Sequence, residues 1–216
     1  MHREMEFYGK DPTTVVRTSS NTFRNPLRWV KNGKVQPGSR IFVCSWSDFF
    51  IQEADPWRNE AWKIIRMTQQ FNHIILTKRP ERIHNCLPSD WGEGYPNVWL
   101  LVSTENQEMF NYRFPILEHI RARVKGISAE PLLGHIDIGT HKVDWLITGG
   151  ESDRKAPRVC DMKWVRSLRD QCLTLEIPFF HKQHGGSKKI DGAYGGRVLD
   201  GRIWEQFPQV NEQKQN

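Results

Sequence analysis

The sequence lacks most of the features that make a chain easy to classify. No run approaches the ~18 apolar residues of a membrane span, and the opening Met1-His2-Arg3-Glu4 leads into no apolar segment of the signal-peptide kind. Cysteine is sparse: Cys44, Cys86, Cys160 and Cys172 stand 42, 74 and 12 residues apart. That spacing offers neither a C-x-x-C metal half-site nor a disulfide framework. Each cysteine reads as a small buried hydrophobe, and a reducing, cytoplasmic setting is expected. The Walker loop, G-x-S-x-G and G-x-G-x-x-G are all missing. No H-x-x-x-H occurs either. His181, His184 and Cys44 would meet only by long-range convergence, so no metal held by this chain is expected.

What is present points to a packed domain. The 216 residues include nine Trp and eleven Phe, too many for a chain that cannot collapse, and 38% of the residues are apolar. The net charge of +6 is unevenly distributed. Residues 1–40 carry 8 basic and 3 acidic groups, residues 41–153 carry 11 and 15, and residues 154–189 carry 9 and 3. Two basic flanks around an acidic middle suit a polyanion such as nucleic acid. Neither flank has a run of five like charges, so solvated surface lysines explain the pattern equally well.

From residue 40 onward one unit repeats. Apolar runs at Arg40–Cys44, His73–Thr77, Asn97–Ser103, Arg123–Ser128, Val143–Thr148 and Pro178–Lys182 are mostly apolar on consecutive positions, as strands covered on both faces are. Helices are expected between them. One starts at Asp55-Pro56 with Asp55 as its cap and carries Trp57, Ala61, Ile64, Ile65 and Thr68 on one face. A short one follows Pro80. Another spans Asn106 to Ile120 with Phe110, Phe114, Leu117 and Ile120 inward. A fourth is capped by Asp161, with Val165, Leu168, Cys172 and Leu175 on one side. The gap through Pro131-Leu-Leu-Gly134 has room for only a turn of helix. Six βα units in series mean a parallel α/β sheet, either doubly wound or a partial or TIM-like (β/α) barrel. The expected division is an irregular basic arm over 1–39, a barrel-like domain over 40–186 and an irregular tail over 187–216.

Ligands of parallel α/β folds bind where the strands end. The segments just past these runs are Ser45-Trp46-Ser47-Asp48, Lys78-Arg79-Pro80-Glu81, Thr104-Glu105-Asn106, Glu130-Pro131, Gly149-Gly150-Glu151-Ser152 and Lys182-Gln183-His184-Gly185-Gly186. Charges beside buried runs are costly unless paired or used. The candidate catalytic groups are Lys78, Glu105, Glu130 and Lys182. The lysines would hold an anion or act as amine bases, and the alternative is an inter-strand salt bridge to Glu105 or Glu130. Asp48, Arg79 and Gln183 are candidate substrate contacts. The two Gly-Gly pairs, with Glu151 and Ser152, are candidate cofactor contacts, because backbone N–H groups in such loops often cradle phosphate. A Gly pair also makes an ordinary tight turn.

Taken in order, Phe42–Phe50, Ile75–Arg82, Tyr95–Gln107, Ser128–Gly134, Asp144-Trp145 with Gly149–Ser152, Trp164–Cys172, and Pro178–Phe180 with Lys182-Gln183 and Gly185-Gly186 form a pattern over about Asp11 to Gly186. This pattern resembles the phage protein gp thirty-seven/sixty-eight family, a domain of unknown function that is radical-SAM-like and bears a three-cysteine motif. The resemblance implies a radical-SAM-like barrel in a phage setting, with S-adenosylmethionine and a [4Fe–4S] cluster. It also likens Gly149-Gly150-Glu151 to the Gly-Gly-Glu that contacts the methionine amine, although here the triplet follows a late strand. Family members carry a Gly-Cys and a Cys-x-x-Cys-Tyr upstream of the first matching stretch. This chain has neither, and its four cysteines do not replace them. It is therefore expected to lack a cluster of its own and to begin downstream of that segment, leaving the edge at residues 40–44 open for a partner chain or the basic arm. The alternative is that Met1 is an internal or misassigned start, which an in-frame Gly-Cys and Cys-x-x-Cys-Tyr upstream would support and an in-frame stop close to Met1 would exclude. Two other readings remain: a non-catalytic nucleic-acid or partner-binding protein, and a barrel enzyme acting on a phosphorylated substrate.

Overall fold

A computed structural model of the protein describes residues 14–45 and 47–209, so the first thirteen residues of the expected arm, Trp46, and residues 210–216 of the expected tail lie outside the described part. All six expected strands form: β1 (Arg40–Val43), β2 (Asn72–Thr77), β3 (Val98–Ser103), β4 (Val124–Ala129), β5 (Trp145–Gly149) and β6 (Phe179–Gln183). They pair in parallel, each with the next in sequence. A doubly wound sheet reverses its strand order at a switch point. This sheet does not, and it curls into a half-barrel with its helices on one face.

Around this sheet lie α1 (Ser20–Phe23), α2 (Asn25–Asn32), α3 (Asp55–Met67), α4 (Ile83–Cys86), α5 (Gln107–Glu118) and α6 (Met162–Thr174). Asn106 caps α5 by accepting from the Met109 N–H, and Asp161 caps α6 by accepting from the Lys163 N–H. Asp55 does not cap α3. Its carboxylate is held by Arg58 and Arg82, which tie the helix start to the segment after β2. On α3 the buried tryptophan is Trp62 rather than Trp57, and Leu175 after α6 is exposed. No helix forms between β4 and β5. Leu132, Ile136, Ile138 and Val143 of that loop enter the core in its place.

The two faces of the sheet follow from the two-residue period of the strands. One set, including Ile75, Leu100, Val102, Ile127, Leu146 and Phe179, packs beneath the helices with Phe110, Phe114, Val165 and Leu168. The alternate set, Ile74, Trp99, Leu101, Val124, Trp145 and Ile147, makes a separate cluster on the concave face. There Trp99 and Trp145 meet edge to face at 5.5 Å. Gly126 supplies the necessary room, since a Cβ on it would lie 2.6 Å from the Trp145 carbonyl oxygen and 3.2 Å from Leu101 Cγ.

The arm and tail are more regular than their sequence patterns suggest. Arg17 and Arg24 converge on Glu60 and fasten the arm to α3. Residues 189–203 form two antiparallel ribbons, β7 (Lys189–Ile190) with β8 (Ala193–Tyr194), and β9 (Val198–Leu199) with β10 (Arg202–Ile203). Residues 204–206 then pair with the free edge of β6 through His181 N–H to Trp204 C=O and Gln206 N–H to Phe179 C=O. Phe207 packs on Trp145 and Phe180 at the base of the concave face, under the Arg40 guanidinium 3.5 Å from its ring centre. Too little apolar periodicity marks these pieces because each is short and is ordered by docking. No described helix is long and apolar enough to cross a membrane.

Two fully enclosed histidines give the fold a pH dependence. Burial lowers the imidazoles of His73 and His181 to about 4, and the neighbouring His184 adds to the effect at His181. Below about pH 6.5 the unfolded chain binds protons that the folded chain refuses. Stability is therefore complete above that pH and is lost as the pH falls toward 4. Urea unfolding at pH 5 against pH 7 should show a loss on the order of 2 kcal/mol per histidine. His181→Gln should remove its share of the slope; an unchanged slope would contradict the assignment.

Candidate functional site

The register carries the concave face from apolar at the base to charged at the mouth. Ile74, Trp99 and Val124 lie side by side, and Leu76, Leu101, Gly126 and Trp145 come next. Above them stand Ser103, Ser128 and Ile147, and just past the strand ends the same parity brings Lys78, Glu105, Glu130, Gly149 and Lys182 toward one mouth. The four candidate catalytic side chains are thus together, and they are paired. Lys78 bonds Glu105, whose other oxygen takes Arg113 at 2.9 Å. Lys182 meets Glu130 at 2.7 Å. The carboxylates sit deep, at 13% and 21% exposure, while the two lysines are half exposed at 50% and 54%. Burial acts to raise the Glu105 carboxyl, but Lys78 and Arg113 outweigh it and hold the group below its ordinary value.

The four groups are therefore engaged in the inter-strand salt bridges that are the alternative reading of these charges. Each carboxylate is withdrawn from water and fixed by a cation whose outer half remains in solvent. Gly149 makes this possible on the β5 side, because a Cβ there would meet the Glu130 carboxyl carbon at 3.1 Å. Asp48 serves differently. It accepts from Phe50 N–H, from Thr77 Oγ1, from Lys78 N–H and from Arg79 at 3.0 Å, so its carboxylate is spent on joining the β1 loop to the end of β2. Arg79 is half exposed beside it. Gln183 is buried and donates to the Gly150 carbonyl, on the far side of β6 from Lys182.

The two Gly-Gly pairs are pressed together. A Cβ on Gly150 would stand 1.9 Å from the His184 carbonyl oxygen, and one on Gly195 would stand 2.1 Å from the Gly185 carbonyl oxygen. Their N–H groups are already donated: Gly150 to Gln183, Gly185 to Tyr194 and Gly186 to Glu151. A phosphate cradle needs those donors free, so this arrangement does not favour the phosphorylated-substrate reading. Glu151 is held by Arg158 through its side chain and backbone N–H, which keeps its carboxyl below the ordinary range. Ser152 is exposed and bridges to Gly186.

The cysteines do not assemble. Burial pushes the Cys160 thiol up to about 11 and Cys172 up to about 12, so both remain protonated at neutral pH. Cys44 follows β1 with φ 57°, in the left-handed region, and Cys86 ends α4; of the four cysteines only Cys172 is the buried hydrophobe expected, and Cys44 is exposed. Among the described residues, no three His, Cys, Asp or Glu side chains come together as metal ligands. These residues do not fit a cluster. A surface groove of about 710 Å³ lies away from the mouth between α6 and the 137–139 loop, where Lys163, Arg166 and Asp170 face solvent. It gathers none of the mouth groups.

Sequence reasoning missed Arg113, Ser103 and Ser128. Strand parity alone would have found the serines. Arg113 needed the helix rotation, which brings it back over the end of β3 to the Ser103 carbonyl. Comparison with family models matches residues 1–208 to the family described as Protein of unknown function (DUF5131), and the chain belongs to that family. No curated protein and no solved structure gives a match.

The glycine contacts yield a paired prediction. Gly150→Ala should destabilise the fold by more than about 2 kcal/mol in urea titration, because backbone must move to admit the methyl group. Gly186→Ala, with nothing within 4 Å but a φ of +122°, should cost only about 1 kcal/mol of backbone strain. Equal costs would show that the close approach at Gly150 is not what fastens the loops.

Proposed function

We propose that the protein is an enzyme-type half-barrel whose mouth binds a small zwitterionic ligand of the S-adenosylmethionine class. The observation that carries this reading is the pair of ion pairs on one inward-facing register, Lys78–Glu105 and Lys182–Glu130, with buried carboxylates and half-exposed lysines. A ligand with an ammonium and a carboxylate on one carbon can exchange partners with both pairs. Its ammonium takes a carboxylate, its carboxylate takes a lysine, and no charge is left uncompensated. A sulfonium finds the same carboxylates. Beneath them Leu76, Leu101, Ile147 and Phe180 give an apolar floor suited to an aromatic base.

The radical-SAM-like part of the reading and the phage setting come from the family resemblance, and the cytoplasmic location comes from the sparse cysteines. Bound S-adenosylmethionine would supply a reactive sulfonium; Glu130 and Glu105 would hold its cationic groups and Lys182 or Lys78 its carboxylate. Among the described residues the thiols do not gather to hold an iron–sulfur cluster.

Isothermal titration calorimetry with S-adenosylmethionine tests the reading. Binding is expected, and Glu130→Gln or Lys182→Ala should weaken it by at least about tenfold, because either change leaves one charge of a partly buried pair unmatched. Absence of binding by the unaltered protein, or affinity unchanged from it in both variants, would overturn the proposal.

A further inference from the structure

The β5 and β6 strands do not stop at the mouth but run on into a basic ridge. A parallel bridge between Ser152 and Gly186 joins the two outgoing segments; Lys155 follows on the first, and Lys188 and Lys189, the latter opening β7, follow on the second. The β7–β8 ribbon is fixed in place by backbone hydrogen bonds from His184 to Gly196, Gly185 to Tyr194 and Gly195 to Lys188. His184 Nδ1 adds a bond to the Gly195 carbonyl at 3.0 Å. The tight Gly150, Gly185 and Gly195 contacts make this anchoring possible.

Most cations elsewhere on the surface are neutralised locally. Arg17 and Arg24 share Glu60, Arg166 and Arg169 share Asp200, Arg66 has Asp90, and Arg121 has Glu93. The ridge differs. Lys155, Lys188 and Lys189 are exposed, and among the described residues none of them is paired with a carboxylate. The nearby carboxylates are committed elsewhere: Glu151 to Arg158, Glu130 to Lys182, and Asp153 to the N–H groups of Lys155 and Ala156. Asp191, at the ribbon turn, is the one acidic group on the ribbon itself. Lys189 lies 5.3 Å over the Tyr194 ring, and Ile190 beside it is 56% exposed.

We infer that this ridge is a binding surface for single-stranded nucleic acid, which it presents to the mouth. Uncompensated lysines on a rigid two-stranded ribbon supply phosphate contacts, and an aromatic and an aliphatic side chain among them supply surfaces for bases. A membrane surface would call for an amphipathic helix or a broad apolar face, and the ridge has only a short ribbon with Ile190. The inference deepens the reading of the mouth by naming the macromolecule brought to it, and it rests on that reading only for the direction of approach.

Fluorescence anisotropy with labelled DNA and RNA strands of roughly 15 nucleotides tests it. Binding should weaken steeply between roughly 50 and 200 mM salt. Lys155→Gln/Lys188→Gln/Lys189→Gln should lower the slope of log affinity against log salt by about 2, since each phosphate left unneutralised on a single strand lowers it by about 0.7. These positions are exposed, so circular dichroism and the melting temperature should not change, and S-adenosylmethionine binding should persist. Glu130→Gln is expected to have the opposite profile, losing the small ligand and keeping the oligonucleotide. The inference is overturned by absence of salt-dependent binding, by an unchanged slope in the triple variant, or by tighter binding of poly-glutamate or anionic vesicles through the same lysines. Oligonucleotide binding without S-adenosylmethionine binding would overturn the mouth reading and leave the ridge standing.

Discussion

A carboxylate taken out of water at the end of a strand must find a cation, and this requirement organises the mouth of the half-barrel. Glu105, Glu130 and Asp48 are each largely enclosed, and each has a cationic partner on another strand or loop, Lys182 reaching Glu130 across β5. The pairings join the segments after β1, β2 and β3 on one side of the mouth and tie the segment after β4 to β6 on the other. Lysine suits two of these positions because its long stem reaches over the rim while its ammonium stays half in solvent. Asp48 needs more, since backbone and hydroxyl donors as well as Arg79 converge on it. Glu105 and Glu130 are thus the carboxylates to which the proposed ligand is assigned, while the Asp48 carboxylate is spent on joining two loops.

The rim depends in turn on what closes the concave face below it. A parallel sheet in sequential strand order covers one face with helices and leaves the other exposed. Here the inner face buries itself on aromatic side chains, Trp99 against Trp145, with Phe207 of the C-terminal segment filling the base. The same segment pairs with β6, so one piece of chain satisfies both an open edge and an apolar surface. Where no helix fits, between β4 and β5, Leu132, Ile136 and Ile138 take over its packing.

Glycine at the β5 and β6 ends acts through contact rather than freedom. Gly150 and Gly195 let carbonyl groups approach where any Cβ would collide. The backbone donors that a phosphate loop would hold free are used to fasten the β7–β8 ribbon. The anionic partner that the basic flanks suggested thus has no cradle at these loops, while the lysines that the fastened ribbon carries remain without carboxylates.

By itself the sequence determined the strands, the helix faces and the level at which polar groups would gather. Strand residues buried on both faces are apolar at consecutive positions, and Phe110, Phe114 and Leu117 recur at the helical period, so each element is specified by its own neighbours. It also supplied Lys78, Glu105, Glu130 and Lys182 as candidates, because each charge abuts a buried run. Only the tertiary structure decided that the sheet keeps sequential order, that these four groups share one face in two pairs, and that Asp48 and Gln183 are spent internally. It alone released Asp55 from its capping position to bind Arg58 and Arg82, and gave order to the arm and tail. Those outcomes depend on partners between about 25 and 60 residues away, such as Lys182 for Glu130 or Gln206 for Trp145. Local periodicity carries no information at that range, where docking and charge compensation choose the partner.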